Sequence, residues 1–165
     1  MRTFFLTAVL LALGACGFSP LYATHDDAGV KGGFDAVFID NIADRDGLYL
    51  RNALMDRLYS HGRPPAPVYT LTFSKLQQER RDLDITRTSS STRAQLRIES
   101  TMTLKDNATG EVLLTRGLTA ITSYNILQSQ FTTRVSEDDT RRSALDDIAR
   151  QVEQQLALYF SREHK

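Results

Sequence analysis

The fold is decided by residues 93–105, which read Arg93-Ala94-Gln95-Leu96-Arg97-Ile98-Glu99-Ser100-Thr101-Met102-Thr103-Leu104-Lys105. Apolar side chains occupy every even-numbered position except Ser100, and polar or charged side chains occupy every odd-numbered position. Because successive side chains of a β-strand point to opposite faces of the sheet, this alternation predicts a long strand with one buried and one solvated face. Such one-sided burial is typical of an antiparallel sheet.

A second strand follows at once. Asp106 to Gly110 form a turn of hairpin length, and residues 111–124 are rich in Val, Leu, Thr and Ile. Arg116-Gly117 interrupts that pattern and predicts a bulge or a close approach.

The chain before residue 93 predicts another strand of the same sheet. Val68 to Ser74 alternates apolar with hydroxyl side chains, and an alternation resumes after the polar stretch 77–84. This strand is therefore either long or broken by a bulge. Thr88 to Thr92 is the most favourable turn ahead of the central strand.

One helix and one strand precede these elements. Phe34 to Asp40 reads as a strand, and Asp46 to His61 as a helix in which Leu50, Leu54 and Leu58 share one face. Gly62 and the prolines after it end the helix.

The last element is a long helix. Ser136 predicts its N-cap after a loop over 126–135, with acidic residues in the first turn. An apolar stripe at helical spacing follows, made of Leu145, Ile148, Ala149, Val152, Leu156, Tyr159 and Phe160.

These elements give the order β-α-β-β-β-α and an α+β fold. We expect a four-stranded, mostly antiparallel sheet with two amphipathic helices on one face. Because the first strand reaches the second through a helix, that pair is the one expected to be parallel.

The start of the chain predicts export and lipidation. A charged Met1-Arg2-Thr3 leads into an apolar run too short to span a bilayer, and Leu13-Gly14-Ala15-Cys16 resembles the lipobox of bacterial lipoproteins. In that class the cysteine thiol receives diacylglycerol, the chain is cut before the cysteine, and its new amino group receives an acyl chain such as palmitate. An ordinary signal peptide and a catalytic thiol are the alternatives, and one cysteine excludes an internal disulfide.

The predicted domains follow from this start. Residues 1–15 are the lipoprotein signal peptide, residues 16–33 the lipidated tether and linker, and residues 34–165 a single domain. Arg2 is the only charged residue of the signal peptide, so its removal leaves 19 basic and 20 acidic side chains. This balance does not point to nucleic acid as a partner.

Charge is uneven along the chain. Residues 75–105 carry seven basic and four acidic side chains. Because arginine suits bidentate contact with phosphate, the hairpin predicts a site for a phosphate-bearing anion such as lipid A, with Arg87, Arg93, Arg97 and Lys105 as candidate ligands. A solvated sheet face explains the same residues without a ligand.

The sequence gives little support for a catalytic site or a metal site. His25, His61 and His164 have no carboxylate or cysteine at metal-ligand spacing, and no Gly-x-Ser-x-Gly or phosphate-binding glycine loop is present in the sequence. Paired acids such as Asp138 and Asp139 are explained by helix capping and solvation. We therefore expect a protein that is not an enzyme and has no metal and no cofactor beyond the lipids on Cys16.

Several motifs together resemble the LptE family of lipopolysaccharide-assembly lipoproteins, in the form found in alphaproteobacteria. They are Cys16-Gly17-Phe18 with Pro20-Leu21-Tyr22, Leu50-Arg51-Asn52-Ala53-Leu54 with Arg57-Leu58, Thr92-Arg93-Ala94, the Gly110 turn, Ser123-Tyr124-Asn125, and Asp138-Asp139 through Arg142.

The resemblance implies a lipid-anchored protein on the periplasmic side of the outer membrane of a Gram-negative envelope. It implies a plug within the LptD β-barrel that helps the barrel to fold, binds lipopolysaccharide and takes part in its insertion in the outer leaflet. It assigns no catalytic residue. The alternatives are an accessory lipoprotein of an ABC-type lipid transporter and, less favoured, a tethered hydrolase.

Overall fold

The computed structural model describes residues 27–59, 62–85, 91–126 and 129–163. Five strands form one sheet: β1 (Val37–Ile39), β2 (Tyr69–Phe73), β3 (Gln77–Ile85), β4 (Ser91–Asp106) and β5 (Val112–Asn125). Three helices accompany it: α1 (Asp27–Asp35), α2 (Asp44–Leu58) and α3 (Gln130–Glu163). No helix within these ranges is long and apolar enough to cross a bilayer.

The sheet is organised around β4. One side of β4 pairs antiparallel with β5, while the other side pairs with β3 along its first half and with β2 along its second half. β1 completes the sheet beside β2 in parallel register, with Val37 opposite Tyr69 and Ile39 opposite Leu71. The predicted α+β class, the mostly antiparallel sheet and the parallel crossover pair are thus confirmed.

β2 and β3 are two parts of one extended segment, and the strand is interrupted at residues 74–76. Ser74 connects this interruption to β4 through two hydrogen bonds. Its backbone N–H donates to the carbonyl of Thr101 at 2.9 Å, and its hydroxyl accepts from the N–H of Thr101 at 2.8 Å. The hydroxyl of buried Ser100 also donates to the carbonyl of Ser74 at 2.9 Å. Ser100, the one buried polar residue in the described parts of the chain, is therefore used to join the two strands.

All three helices pack on the inner face of the sheet. The even-numbered apolar side chains of β4 are buried there, as the alternation predicts. They meet the leucines of α2 and the apolar stripe of α3, in a cluster that comprises Val37, Ile39, Ile42, Leu50, Leu54, Leu58, Leu71, Leu96, Ile98, Met102, Leu104, Leu118, Ala120, Ala144, Leu145, Ile148, Ala149, Val152, Leu156 and Phe160. Burial of this apolar surface is the main stabilising term of the fold.

Three local expectations differ from the structure. The loop expected over 126–135 is largely helical, since α3 begins at Gln130 rather than after Ser136. Ser129 stands before the helix, and its carbonyl accepts from both the N–H and the hydroxyl of Thr133. Ser129 is thus the serine at the helix start, and Ser136 lies inside the helix.

The second difference is at the beginning of the domain. Residues 27–35 form α1 where a linker and the first residues of a strand were expected, so β1 is only three residues long. Gly33 permits this helix to dock, because its backbone lies directly against the ring of Phe160.

The third difference is the irregularity of the β4–β5 pair. The register shifts between Leu104 and Lys105, opposite Val112 and Leu114, whereas Arg116 and Gly117 pair regularly with Met102 and Thr101. The expected turn before β5 is present, and Gly110 adopts a φ of 74° that glycine accommodates without strain. The turn expected over 88–92 falls mostly outside the described residues.

Candidate functional site

The described helices leave the outer face of the sheet open. It carries the odd-numbered side chains of β4 together with Thr70 and Thr72 of β2 and the odd-numbered residues of β5. Arg93, Arg97, Thr101 and Lys105 are all exposed. We call this surface the open face.

Threonine dominates the lower half of the open face, near β2. Thr72, Thr103 and Thr115 lie in one row across three strands, and Thr101 and Thr119 extend the patch. The hydroxyl of Thr72 donates to the carbonyl of Thr103 at 3.3 Å. Hydroxyl and methyl groups side by side give a surface that is able to hydrogen-bond, and Lys105, opposite Thr70, adds a charge beside it.

The candidate basic residues lie in a line along β4. At about 3.4 Å per residue, Arg93 and Arg97 are about 14 Å apart, and Lys105 is about 27 Å beyond Arg97. Arg87 lies outside the described residues. The structure therefore places Arg93 and Arg97 on the half of the open face beside β3, which we call the upper half, and separates Lys105 from them.

Arg97 is partly neutralised. Its guanidinium binds the carboxylate of Glu99 on the same strand, with Nε 2.9 Å from Oε1, and Glu79 stands opposite it in the register of β3. An incoming phosphate at Arg97 therefore competes with these acids. The register likewise places Asp84 opposite Arg93.

Arg81 is a further basic residue on the open face that was not among the candidates. It pairs with Gln95, between Arg93 and Arg97. The neighbouring Arg80 points to the inner face, where its guanidinium carbon lies 5.8 Å from the ring centroid of Tyr124 and its Nε binds Asp82 at 3.1 Å. Only the β3–β4 register distinguishes the two arginines.

An ionic cluster lies on the inner face beneath β3, where α2 and α3 approach each other. Arg141 of α3 binds Glu137 at 2.9 Å and Asp138 at 2.8 Å, and its Nε is 3.9 Å from Asp46 of α2. Asp46 in turn accepts a hydrogen bond from Gln78 of β3. The cluster ties the overhanging start of α3 to α2 and to the sheet.

Two tyrosines border this region. Burial raises the pKa of Tyr124, and the nearby Glu137 charge adds to the effect. Burial likewise raises the pKa of Tyr49, whose hydroxyl lies 3.3 Å from Asp146. Both phenols stay protonated at neutral pH, so neither is a nucleophile there.

A cavity of about 230 Å³ opens between the start of α2 and α3. Three arginines and two aspartates contribute to its lining, which comprises Arg45, Asp46, Leu48, Tyr49, Asn52, Asp138, Arg141, Arg142 and Leu145. Neither a cysteine, a serine nor a histidine is part of that lining, and within the described ranges no group of acids, histidines or cysteines is arranged to hold a metal ion. All three histidines lie outside those ranges.

Solved structures of bacterial lipoproteins share this fold. A Caulobacter crescentus protein is 22% identical, with a TM-score of 0.64 over 81% of this chain and 96% of that one. The minor lipoprotein of Acinetobacter baumannii is 23% identical, with a TM-score of 0.53 over 74% and 88% of the two chains. Rare lipoprotein B of Shewanella oneidensis is 10% identical, with a TM-score of 0.61 over 79% and 98%.

The sequence itself matches a family model. That model is described as LptE, lipopolysaccharide-assembly, and it covers residues 34–157, which is more than half of the chain. None of the curated protein sequences matches. The match spans all five strands, α2 and most of α3, so the resemblance seen in the motifs is confirmed, and this chain belongs to the LptE family of lipopolysaccharide-assembly proteins.

Proposed function

We propose that this protein is an outer-membrane lipoprotein, anchored through Cys16, that plugs the LptD barrel and assists its assembly. In this role it serves the transport of lipopolysaccharide and its insertion in the outer leaflet, and it catalyses no reaction. Membership of the LptE family supports the general assignment to lipopolysaccharide assembly. The assignment to the LptD barrel rests on the open face of the sheet, and the assignment to the membrane rests on Cys16.

The observation that carries the proposal is the open face. A sheet surface rich in threonine and arginine that the described helices leave uncovered is suited to a polar, water-containing partner surface rather than to lipid. The interior of a large outer-membrane barrel has this character. With a rise of about 1.5 Å per residue, the 34 residues of α3 extend about 51 Å. This exceeds the apolar band of such a barrel, about 25 Å tall.

The upper half of the open face supplies the proposed contact with lipopolysaccharide. Arginine guanidinium groups bind phosphate oxygens in pairs, and Arg93 and Arg97 present two such groups on one face. We keep Arg87 and Lys105 in the proposed set and add Arg81. The acceptor on the ligand is the phosphate of lipid A.

Cys16 supplies the proposed anchor. With diacylglycerol on its thiol and an acyl chain on its amino group, the anchor holds firmly, since each buried methylene contributes about 0.8 kcal/mol. Eleven residue steps separate Cys16 from the start of α1, which allow a reach of at most about 38 Å. The domain therefore stays close to the membrane surface while it orients within its partner.

Co-purification tests the proposal. The acylated protein is extracted in mild detergent, and the LptD barrel is expected to accompany it in equal amount. A Cys16→Ala variant is the control for the anchor: it loses acylation but keeps the folded domain. Recovery of an inner-membrane ATPase in place of the barrel would support the transporter-accessory alternative, and recovery of neither would refute the plug.

A further inference from the structure

The outer edge of β5 is a row of main-chain groups that the sheet does not use. On the other side of β4, the backbone groups of Thr101 bond to Ser74, so the odd-numbered residues of β4 face β2 and β3. Because peptide groups alternate along a strand, the even-numbered residues of β4 face β5. Their register partners on β5 are also even-numbered, from Leu114 to Tyr124.

The odd-numbered residues of β5 therefore direct their N–H and C=O groups away from the sheet. Gln151 of α3 provides an independent check, because its amide nitrogen donates to the carbonyl of Thr119 at 2.9 Å from outside the ladder. The carbonyl of Thr115 is similarly taken by the guanidinium of Arg116 at 2.9 Å. In the described structure the main chain of Gly117, Ile121 and Ser123 has no protein partner on this side.

The other sheet edges are protected against strand pairing, whereas in the described structure this one is covered only at the carbonyls of Thr119 and Thr115. β1 is three residues long, and β3 carries five charged residues among nine together with register shifts. These are the usual devices that prevent edge-to-edge association. Residues 117–125 of β5, in contrast, read Gly-Leu-Thr-Ala-Ile-Thr-Ser-Tyr-Asn without a charge or a proline.

The unprotected edge is accessible. Gly117, Thr119 and Ser123 are exposed, and Ile121 is 54% exposed. A side chain built at Gly117 would meet no atom within 4 Å. The open face beside the edge is therefore clear at Gly117. A strand added at the edge would lie at the normal strand spacing of about 4.8 Å.

We propose that the outer edge of β5, over residues 117–123, is a docking edge for an extended, otherwise unpaired segment of the barrel protein. That segment adds one strand to the sheet through main-chain hydrogen bonds. The inference rests on the proposed function, since it names how the barrel holds the plug. An edge without charge favours a segment with small or uncharged side chains.

A second copy of this chain suits the edge less well. Two copies joined at β5 by a twofold axis form one continuous sheet with both α3 helices on the same face. Because α3 already reaches the edge through Gln151, the two helices would crowd each other. Edge pairing alone also buries less than the roughly 1,200 Å² that a specific stable interface needs. The barrel segment brings no helix and is continuous with a partner that covers the open face.

Hydrogen exchange of the complex tests the proposal directly. The acylated full-length protein is measured alone and bound to purified LptD barrel, with resolution of single amides in β5. The amides of Gly117, Thr119, Ile121 and Ser123 are expected to exchange at least about tenfold more slowly in the complex. Those of the even-numbered residues are already protected in the free protein by β4.

Two variants at one position separate main-chain pairing from side-chain contact. Ile121→Pro removes an outward N–H without breaking a bond to β4, and recovery of the barrel is expected to fall at least about fivefold. Ile121→Thr loses the same side chain but keeps the N–H, and recovery is expected to be unchanged. Equal exchange rates of the odd-numbered amides in the free and bound protein would overturn the proposal, even where wild-type protein binds the barrel. If wild-type protein brings no barrel, the proposed function itself fails, and this inference fails with it.

Discussion

The ring of Phe160 lies against the backbone of Gly33, so that a Cβ atom added at Gly33 would stand 2.5 Å from Cγ of Phe160. Phe160 is 1% exposed and packs against Phe34, Tyr69 and Tyr159, so its ring has no space to move aside. This contact joins α1, the first described helix, to the end of α3, the last.

Gly33→Ala is therefore expected to destabilise the domain by about 1–3 kcal/mol, because the added methyl overpacks the junction. Urea denaturation measures the change. Gly32→Ala is the matched control: no atom lies within 4 Å of its Cβ position, and the same substitution in the same helix is expected to stabilise by about 0.5–1 kcal/mol. Equal effects of the two variants would show that the Phe160 contact is not a constraint.

Ser74→Ala is expected to weaken the break between β2 and β3. The N–H of Thr101 loses its acceptor at 2.8 Å, and an unsatisfied backbone donor costs about 1–2 kcal/mol. Thermal denaturation checks this, with Ser123→Ala on the exposed edge as the control for the same chemical change. A loss no larger than that of the control would mean that water replaces the hydroxyl.

Arg141→Met is expected to destabilise the start of α3. The substitution leaves Glu137, Asp138 and Asp46 without their shared cation, which costs about 1–3 kcal/mol at this partly exposed site. Arg150→Met is the control, since its contact with Asp147 is solvent-exposed and worth about 0–1 kcal/mol. Denaturation at low and high salt measures both, and the two variants are expected to differ most at low salt.

Asp106 makes the hairpin turn sensitive to acid. Hydrogen bonds from the N–H groups of Thr109 and Ala108 lower the pKa of its carboxyl group. Because the folded-state pKa lies below the unfolded one, the charged form stabilises the fold above the unfolded value, and this stability is lost as pH falls through the folded pKa.

The stability difference between wild type and Asp106→Ala is therefore expected to be full at neutral pH and to narrow towards about pH 2. Asp106→Asn keeps a side-chain oxygen as acceptor but carries no charge, so its stability relative to the alanine variant is expected to stay constant with pH. A difference between wild type and Asp106→Ala that is the same at both pH values would contradict this assignment.

Lipopolysaccharide binding is expected to depend on the upper half of the open face. Replacing Arg93 and Arg97 with alanine is expected to weaken binding at least about fivefold at low salt, and less at high salt, because exposed charges are screened. Arg81→Ala is expected to weaken it as well. Lys105→Ala, about 27 Å along β4 from Arg97, is expected to weaken it less. Arg150→Ala, which changes an exposed arginine of α3 outside the open face, is the control. Unchanged affinity of all these variants would identify the arginines as a solvated face.

Much of the fold was predictable because burial on one face imposes a period on the sequence. The alternation of residues 93–105 fixes both faces of β4, and the leucines of α2 and the stripe from Leu145 to Phe160 fix which helix faces are buried. Short turns then fix the antiparallel order, and the helix between β1 and β2 fixes the parallel pair.

The remaining features depend on contacts that have no local pattern. Residues 27–35 look like a glycine-bearing linker, and they form a helix because Gly33 allows docking on Phe160. Both Ser129 and Ser136 are good helix caps. Only the hydrogen bonds of Ser129, whose hydroxyl accepts from the N–H of Thr132 and whose carbonyl accepts from Thr133, select the first. The register shift at Leu104 leaves no trace in composition.

The candidate site shows the same limit. Arg80 and Arg81 are adjacent and chemically equal. The register of β3 nevertheless places Arg80 on the inner face, against the ring of Tyr124, and Arg81 on the open face. The N–H and C=O groups that β5 directs away from the sheet belong to the main chain, so the amino-acid sequence does not reveal them. The sequence indicated a basic surface, and the pairing determines which residues share it.

The contact between α1 and the end of α3 has a topological consequence. It places the C-terminal end of α1 beside the last turns of α3, so a peptide that returns along α1 can join the two ends of the described domain. A chain opened instead at the exposed turn around Gly110, with its old ends linked, would retain every strand pairing and is a natural circular permutant. The first and the last described helix are thus joined by direct packing, although almost the whole domain separates them in sequence.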